Sequence, residues 1–131
     1  MIFIDSDAFI GLMVASDAHH NRVINLLEHL GDEVLITDWE VVDEVSTKLS
    51  YQTSKETAIQ FLEYLNKSQI RVEFLDKDTS EVAKKIFISQ KSKNISMTDC
   101  ANMAIARKLK ITTFFSFDQH YLKNGFRLLS N

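Results

Sequence analysis

The chain has 131 residues, 45% hydrophobic and 25% charged, the make-up of one globular domain over 1–131 whose core needs no disulfide or metal staple. Its single cysteine, Cys100, excludes an intramolecular disulfide and is expected in a reducing, cytoplasmic setting. Asp5 and Asp7 interrupt the apolar start as a secretory leader would not allow, and no run approaches the roughly 20 apolar residues of a membrane span. A formal net charge of −3 neither demands nor forbids a polyanionic partner: setting aside four acids singled out below leaves 15 cationic against 14 acidic side chains.

With no proline in the chain, hydrophobic period and capping residues carry the reading of the elements. Ile2 to Ile4 is a short apolar run ending at an acid, a buried strand, and a helix from Ser6 to about Val14 follows. Val23, Ile24, Leu27 and Leu30 form a helical stripe stopped by Gly31. Val34 to Ile36 is a second strand, after which Asp38 caps a helix with Val42, Val45 and Leu49 inward. Ala58, Phe61, Leu62 and Leu65 mark another helix, Val72 to Leu75 a third strand, and Val82, Ala83, Ile86 and Phe87 a further helix. Ala101, Ala104, Ile105 and Leu109 mark the next helix, before a fourth strand at Thr112 to Phe115. A turn of helix at Gln119 to Lys123, ended by Gly125, precedes a weak strand near Arg127 to Leu129. Strands alternating with helices predict a three-layer α/β/α sandwich around a mainly parallel sheet.

In such a fold ligands bind beyond the carboxyl ends of the strands, where the N-termini of the packed helices also lie. Asp5 directly follows the first strand, Asp118 stands three residues past the fourth, Asp99 opens a helix, and Glu44 lies beside an apolar helical stripe. Each also has a structural reading: Asp5 and Asp118 as helix caps, Ser96-Met97-Thr98-Asp99 as a capping box, Glu44 as the partner of Lys48. Convergence would give these acids a different purpose. Carboxylates about 4 Å apart repel by a few kcal/mol at an effective dielectric near 20, and a divalent cation reverses that cost. An all-oxygen donor set favours Mg²⁺ or Mn²⁺ over zinc.

These residues resemble the PIN-domain family, and in length and motif spacing its VapC-type toxin ribonucleases. Ile4-Asp5-Ser6 resembles the family's first strand with its aspartate and small hydroxyl residue; Val42-Asp43-Glu44-Val45 resembles its helical glutamate, with Asp43 turned to the polar face. Ser96-Met97-Thr98-Asp99, followed by Cys100 and Ala101, resembles its third acid, and Ser116-Phe117-Asp118 with Tyr121 its last. The resemblance spans the chain and implies a metal-dependent endoribonuclease. Asp5 and Asp99 would bind Mg²⁺ or Mn²⁺ directly, Glu44 and Asp118 directly or through water, and Ser116 would assist through its hydroxyl. It further implies an RNA substrate, products with 5′-phosphate and 3′-hydroxyl ends, a cognate antitoxin of a type II pair, and a homodimer.

Asp7 departs from the family's small residue. It makes Asp5-Ser6-Asp7 look like the nucleophile and acid/base pair of a haloacid-dehalogenase-type phosphatase, a competing reading. A PIN nuclease of RNA processing without an antitoxin, and an inactive RNA-binding module, are two more. His19, His20, His29 and His120 show no ligand spacing among themselves, and His19 and His20 would face different sides of a helix. Lys84, Lys85, Lys91, Lys93, Arg107, Lys108 and Lys110 bias two late helices toward positive charge, as a solvated surface with one or two phosphate contacts. Trp39, Phe61 and Phe87 are expected in a core or an interface.

Overall fold

The computed structural model describes residues 1–129. Five strands form one sheet in the order β3-β2-β1-β4-β5: β1 (Ile2–Ile4), β2 (Leu35–Asp38), β3 (Arg71–Glu73), β4 (Thr113–Phe115) and β5 (Arg127–Leu128). Every pairing is parallel, so the sheet is wholly rather than mainly parallel. The helices flanking it are α1 (Ser6–Met13), α2 (His20–Glu28), α3 (Trp39–Gln52), α4 (Lys55–Lys67), α5 (Lys77–Ser89), α6 (Met97–Lys108) and the short α7 (His120–Lys123).

The central strand β1 is buried along its whole length, as a strand covered on both faces must be. Phe3 packs on Phe114 of β4 with ring centroids 4.9 Å apart, and Phe114 stacks in turn on Tyr121 of α7 at 3.9 Å. On the other side Phe9 of α1 meets Phe61 of α4 edge-on at 5.1 Å. Gly11 lies where α1 touches α2: a Cβ there would come within 2.8 Å of Val23 Cγ2, so this crossing is closed by a missing side chain.

The elements appear in the expected order, with shifted edges. β2 begins at Leu35 and extends to Asp38, leaving Val34 half-exposed outside it. β3 starts one residue early and ends at Glu73, so Phe74 is 68% exposed and stacks on the equally outlying Trp39 at 5.9 Å. α2 stops at Glu28 rather than at Gly31, although Gly31 has the positive φ of +61° that suits glycine. His19 precedes α2 instead of riding on it. Leu62, Val82 and Phe87, read as inward positions, are exposed, because the buried stripes of α4 and α5 are narrower than the sequence pattern. No helix among the described residues is long and apolar enough to cross a membrane.

Candidate metal centre

Parallel pairing sets the ends of β1, β2 and β4 side by side, and each strand continues into an acid. Asp5 follows β1 and is only 4% exposed. Its extended backbone caps α1, with Oδ1 accepting the Ser6 N–H at 2.7 Å. Three side chains from distant parts of the chain complete its shell. Asn102 Nδ2 of α6 donates to Oδ1 at 3.0 Å, while the Tyr121 and Ser116 hydroxyls donate to Oδ2 at 2.9 and 3.1 Å. Asn102 also donates to the Tyr121 oxygen at 2.9 Å, so α6, α7 and β4 are knotted around one carboxylate.

Despite these donors, burial first and then the neighbouring Asp7 push the Asp5 carboxyl up to about 8, with Asp99 adding to the rise. Asp99 is half-buried in the first turn of α6. It makes both bonds of the capping box: Ser96 Oγ accepts from its N–H at 3.0 Å, and its Oδ2 accepts from the Ser96 N–H at 2.9 Å. Burial raises its pKa as well, with help from Asp118 and Glu44. Asp118 Oδ1 accepts the His120 N–H at 2.8 Å. Glu44 is half-buried one turn from Lys48, 3.3 Å away, while Asp43 faces solvent; Glu44 is thus the acid of that pair directed toward the site. Asp5 caps α1, Asp99 closes its capping box and Glu44 pairs with Lys48, whereas α7 starts after Gln119 without a side-chain cap and Asp118 only accepts the His120 N–H. Asp99 acts on Asp5, and Asp118 and Glu44 act on Asp99.

Ser116, expected to assist, is a hub. Its hydroxyl lies 3.1 Å from Asp5 Oδ2 and 3.0 Å from Asp7 Oδ2, and it accepts the Asp118 N–H at 3.1 Å. Asp7 Oδ2 also accepts the Phe117 N–H at 2.7 Å. The residue that departs from the family pattern therefore ties α1 to the loop carrying Asp118. One hydroxyl proton cannot serve both carboxylates at once, so the Ser116 hydroxyl links them by donating to one or the other.

Asn102 was not singled out from sequence, and Asp38, Tyr121 and His120 were named there without a place in the site. Asn102 and Tyr121, both fully buried, hold Asp5. A signal for Asn102 existed: it is a polar residue in an otherwise small and apolar helical run, three positions after Asp99. Asp38, fully buried, caps α3 through Oδ1 at 2.9 Å from the Val41 N–H and leaves Oδ2 without a partner; burial pushes it to about 7. His120 was set aside because the histidines lack spacing with one another, yet its partners are acids: one donor atom each of Asp99, Asp118 and His120 lie within 4.8 Å of one another. Beside them Phe117 is sandwiched, with the His19 ring stacked at 4.0 Å and the Arg22 guanidinium 5.1 Å from its centroid. The late cations are partly spent elsewhere, Lys84 on Glu81 and Lys108 on Asp76.

This donor set fits a hard divalent cation. Several carboxylates share one water-poor corner, their pKa values are raised by burial and mutual repulsion, and the His120 Nδ1 among them is buried without a hydrogen-bond partner. A shared cation would relieve that repulsion.

Known proteins share this fold. Mycobacterium tuberculosis VapC20, a sarcin–ricin loop cleaving toxin, superposes with a TM-score of 0.89 at 25% sequence identity, over 96% of each chain. FitAcB from Neisseria gonorrhoeae superposes at 0.75 with 17% identity, over 99% of this chain and 97% of that one. VapBC2 from Rickettsia felis, bound to a DNA fragment from its promoter, does so at 0.70 with 13% identity, over 98% of both; these last two share the fold. No curated protein matches the chain in sequence. The PIN-domain family model matches residues 2–126, and the chain belongs to the PIN-domain family.

Proposed function

We propose that this protein is an Mg²⁺- or Mn²⁺-dependent endoribonuclease and the toxin of a type II toxin–antitoxin pair. The observation that carries the reading is the convergence of Asp5, Asp99 and Asp118, with Glu44 acting on Asp99, in a member of a nuclease family. The toxin role is supported by the likeness to VapC20 at 25% identity over nearly the whole of both chains.

When bound, a divalent cation supplies Lewis-acid activation of the phosphodiester and of an attacking water. The chain's own residues hold its ligands still. Asp5 is fixed by four donors, so its carboxylate cannot rotate away. Asp99 is locked by its capping box, Asp118 by the His120 amide and Glu44 by Lys48. In this arrangement Asp5 and Asp99 are the direct ligands, Glu44 and Asp118 bind directly or through water, and Ser116 orients Asp5 and the Asp118 amide. Preorganisation of this kind lowers the barrier by removing the reorganisation that mobile carboxylates would need. No protein nucleophile is required. Asp7, tied to Phe117 and Ser116, is not poised as the free acid/base group that phosphatase chemistry needs. Products would carry 5′-phosphate and 3′-hydroxyl ends, and a cognate antitoxin and a second copy of the chain are the expected partners.

The test is induced expression with and without any small gene found immediately upstream, with mapping of cleaved transcripts. Growth arrest with discrete cuts, relieved by the upstream gene and absent in Asp5→Asn, supports the reading. Cleavage without growth arrest favours a processing nuclease. No cleavage of cellular RNA in Mn²⁺ by purified protein points to an inactive binding module.

A further inference from the structure

The proposed cation site contains one nitrogen donor that its all-oxygen description leaves out. His120 opens α7 two residues after Asp118, and the Asp118 carboxylate accepts its backbone N–H at 2.8 Å, so the two side chains are fixed relative to one another. α7 itself is anchored: Asn124 Nδ2 donates to the His120 carbonyl at 2.8 Å, and Asn124 and Gln90 exchange two further hydrogen bonds at 3.0 and 3.1 Å. The His120 backbone is therefore anchored, and its ring is positioned by its own contacts.

Those ring contacts are unusual. Nδ1 lies 2.8 Å from Asp118 Oδ1, ion-pair distance if the ring is protonated, and is buried without a hydrogen-bond partner. Nε2 lies 3.3 Å from Ser92 Oγ in the segment between α5 and α6. If Nε2 carries the proton and donates to Ser92, the Nδ1 lone pair is free and directed among acids. A metal-binding histidine is characteristically held this way, its second ring nitrogen donating to a neighbouring acceptor. The donor atoms of Asp99, Asp118 and His120 lie within 4.8 Å of one another. Opposed ligands on a cation with bonds of about 2.0–2.2 Å stand roughly 4.2 Å apart, so donors gathered this closely are near the spacing that one shared cation requires.

We infer that His120, through Nδ1, is a further ligand of the cation that the proposed function assigns to Asp5 and Asp99 with Glu44 and Asp118, and that this nitrogen biases the site toward Mn²⁺ over Mg²⁺. The inference rests on that function's cation site. An imidazole suits transition metals better than it suits Mg²⁺, which takes oxygen donors and keeps much of its water. The competing arrangement is a protonated His120 paired with Asp118 at 2.8 Å, and histidine nitrogen coupling to bound Mn²⁺ separates the two.

The experiment is pulsed electron paramagnetic resonance on the Mn²⁺-loaded full chain, prepared with natural-abundance and with ¹⁵N-labelled histidine. Directly bound ¹⁴N coupling that converts to ¹⁵N coupling on labelling, and disappears in His120→Ala, is the expected result. Calorimetry on the same proteins should show Mn²⁺ affinity falling about 10- to 100-fold in His120→Ala, against a smaller loss for Mg²⁺. His120→Gln serves if the alanine variant does not fold. Tight Mn²⁺ binding without histidine nitrogen coupling overturns the inference and leaves the acidic site standing. Coupling that persists in both variants also overturns it, by assigning the nitrogen to another residue. Absence of any Mn²⁺ binding removes both the inference and the site.

Discussion

Asp5 is held by four hydrogen-bond donors and still has its carboxyl pushed up to about 8, because burial beside Asp7 and Asp99 outweighs the donors. The sign of the stability effect follows. Between roughly pH 4 and 8 the folded state binds a proton that the unfolded state has released, so the cation-free protein loses stability as pH rises through that window, by a few kcal/mol. Asp5→Asn should flatten much of that slope, Asp38, Asp7 and Asp99 carrying the rest, and should raise stability at pH 8 in denaturant titrations. An asparagine suits the site: its oxygen can face the Ser6 and Asn102 donors, and its NH₂ the Ser116 and Tyr121 hydroxyls, which can turn to accept. RNA cleavage should nevertheless be abolished. A clear loss of cation-free stability would return Asp5 to the role of a plain helix cap. Asp7 is separable from it. Asp7→Asn keeps an oxygen for the Phe117 N–H and should retain cleavage, whereas Asp7→Ala releases the 116–118 loop and should lose at least about tenfold in turnover; equal activity of the two would show that the tether is idle. The four acids and Ser116 were legible in the sequence because each sits at a strand end or a helix turn with a motif around it. Asn102 was not, because its partner Asp5 is 97 positions away and only the folded sheet brings them together. Tyr121 stood in a motif, but its bond to Asp5 across 116 positions did not, and His120 was weighed against the other histidines rather than against Asp99 and Asp118.

At the scale of elements, α3 shows how a cap and a site come to share a residue. Asp38 ends β2, caps α3 and is fully buried, with one oxygen unpartnered and Glu40 and Glu44 nearby raising its pKa. Serine caps a helix as well as aspartate does, without a buried charge. Asp38→Ser should therefore stabilise the cation-free protein at pH 8 by about 1 kcal/mol in urea unfolding. Destabilisation of that size instead would mean that the carboxylate is partnered in solution. Element type and order followed from hydrophobic period and caps. Edges did not: β2 runs on to Asp38 because pairing with β3 continues to Glu73, a long-range contact that local pattern does not encode. Leu62, Val82 and Phe87 fit helical stripes yet face outward, since periodicity marks a face but not how much of it the sheet covers.

For the whole molecule, wholly parallel pairing is what turns separate caps into one centre. β1, β2 and β4 end at the same edge, and Asp5, Asp38 and Asp118 end with them. Repulsion gathered at that edge couples folding to a cation. Mn²⁺ at 100 times its dissociation constant should stabilise the fold by about 2.7 kcal/mol, and the rise in melting temperature should grow from pH 5 to pH 8, because the cation selects the ionised carboxylates that burial disfavours. A cation effect that is flat with pH would place the ion elsewhere. The most direct measurement is anomalous diffraction from crystals grown with Mn²⁺. The account predicts a peak at the carboxyl edge of the sheet, within about 2.0–2.4 Å of oxygens from both Asp5 and Asp99. A well-ordered crystal with no peak there, or with manganese only at remote surface acids, would contradict it.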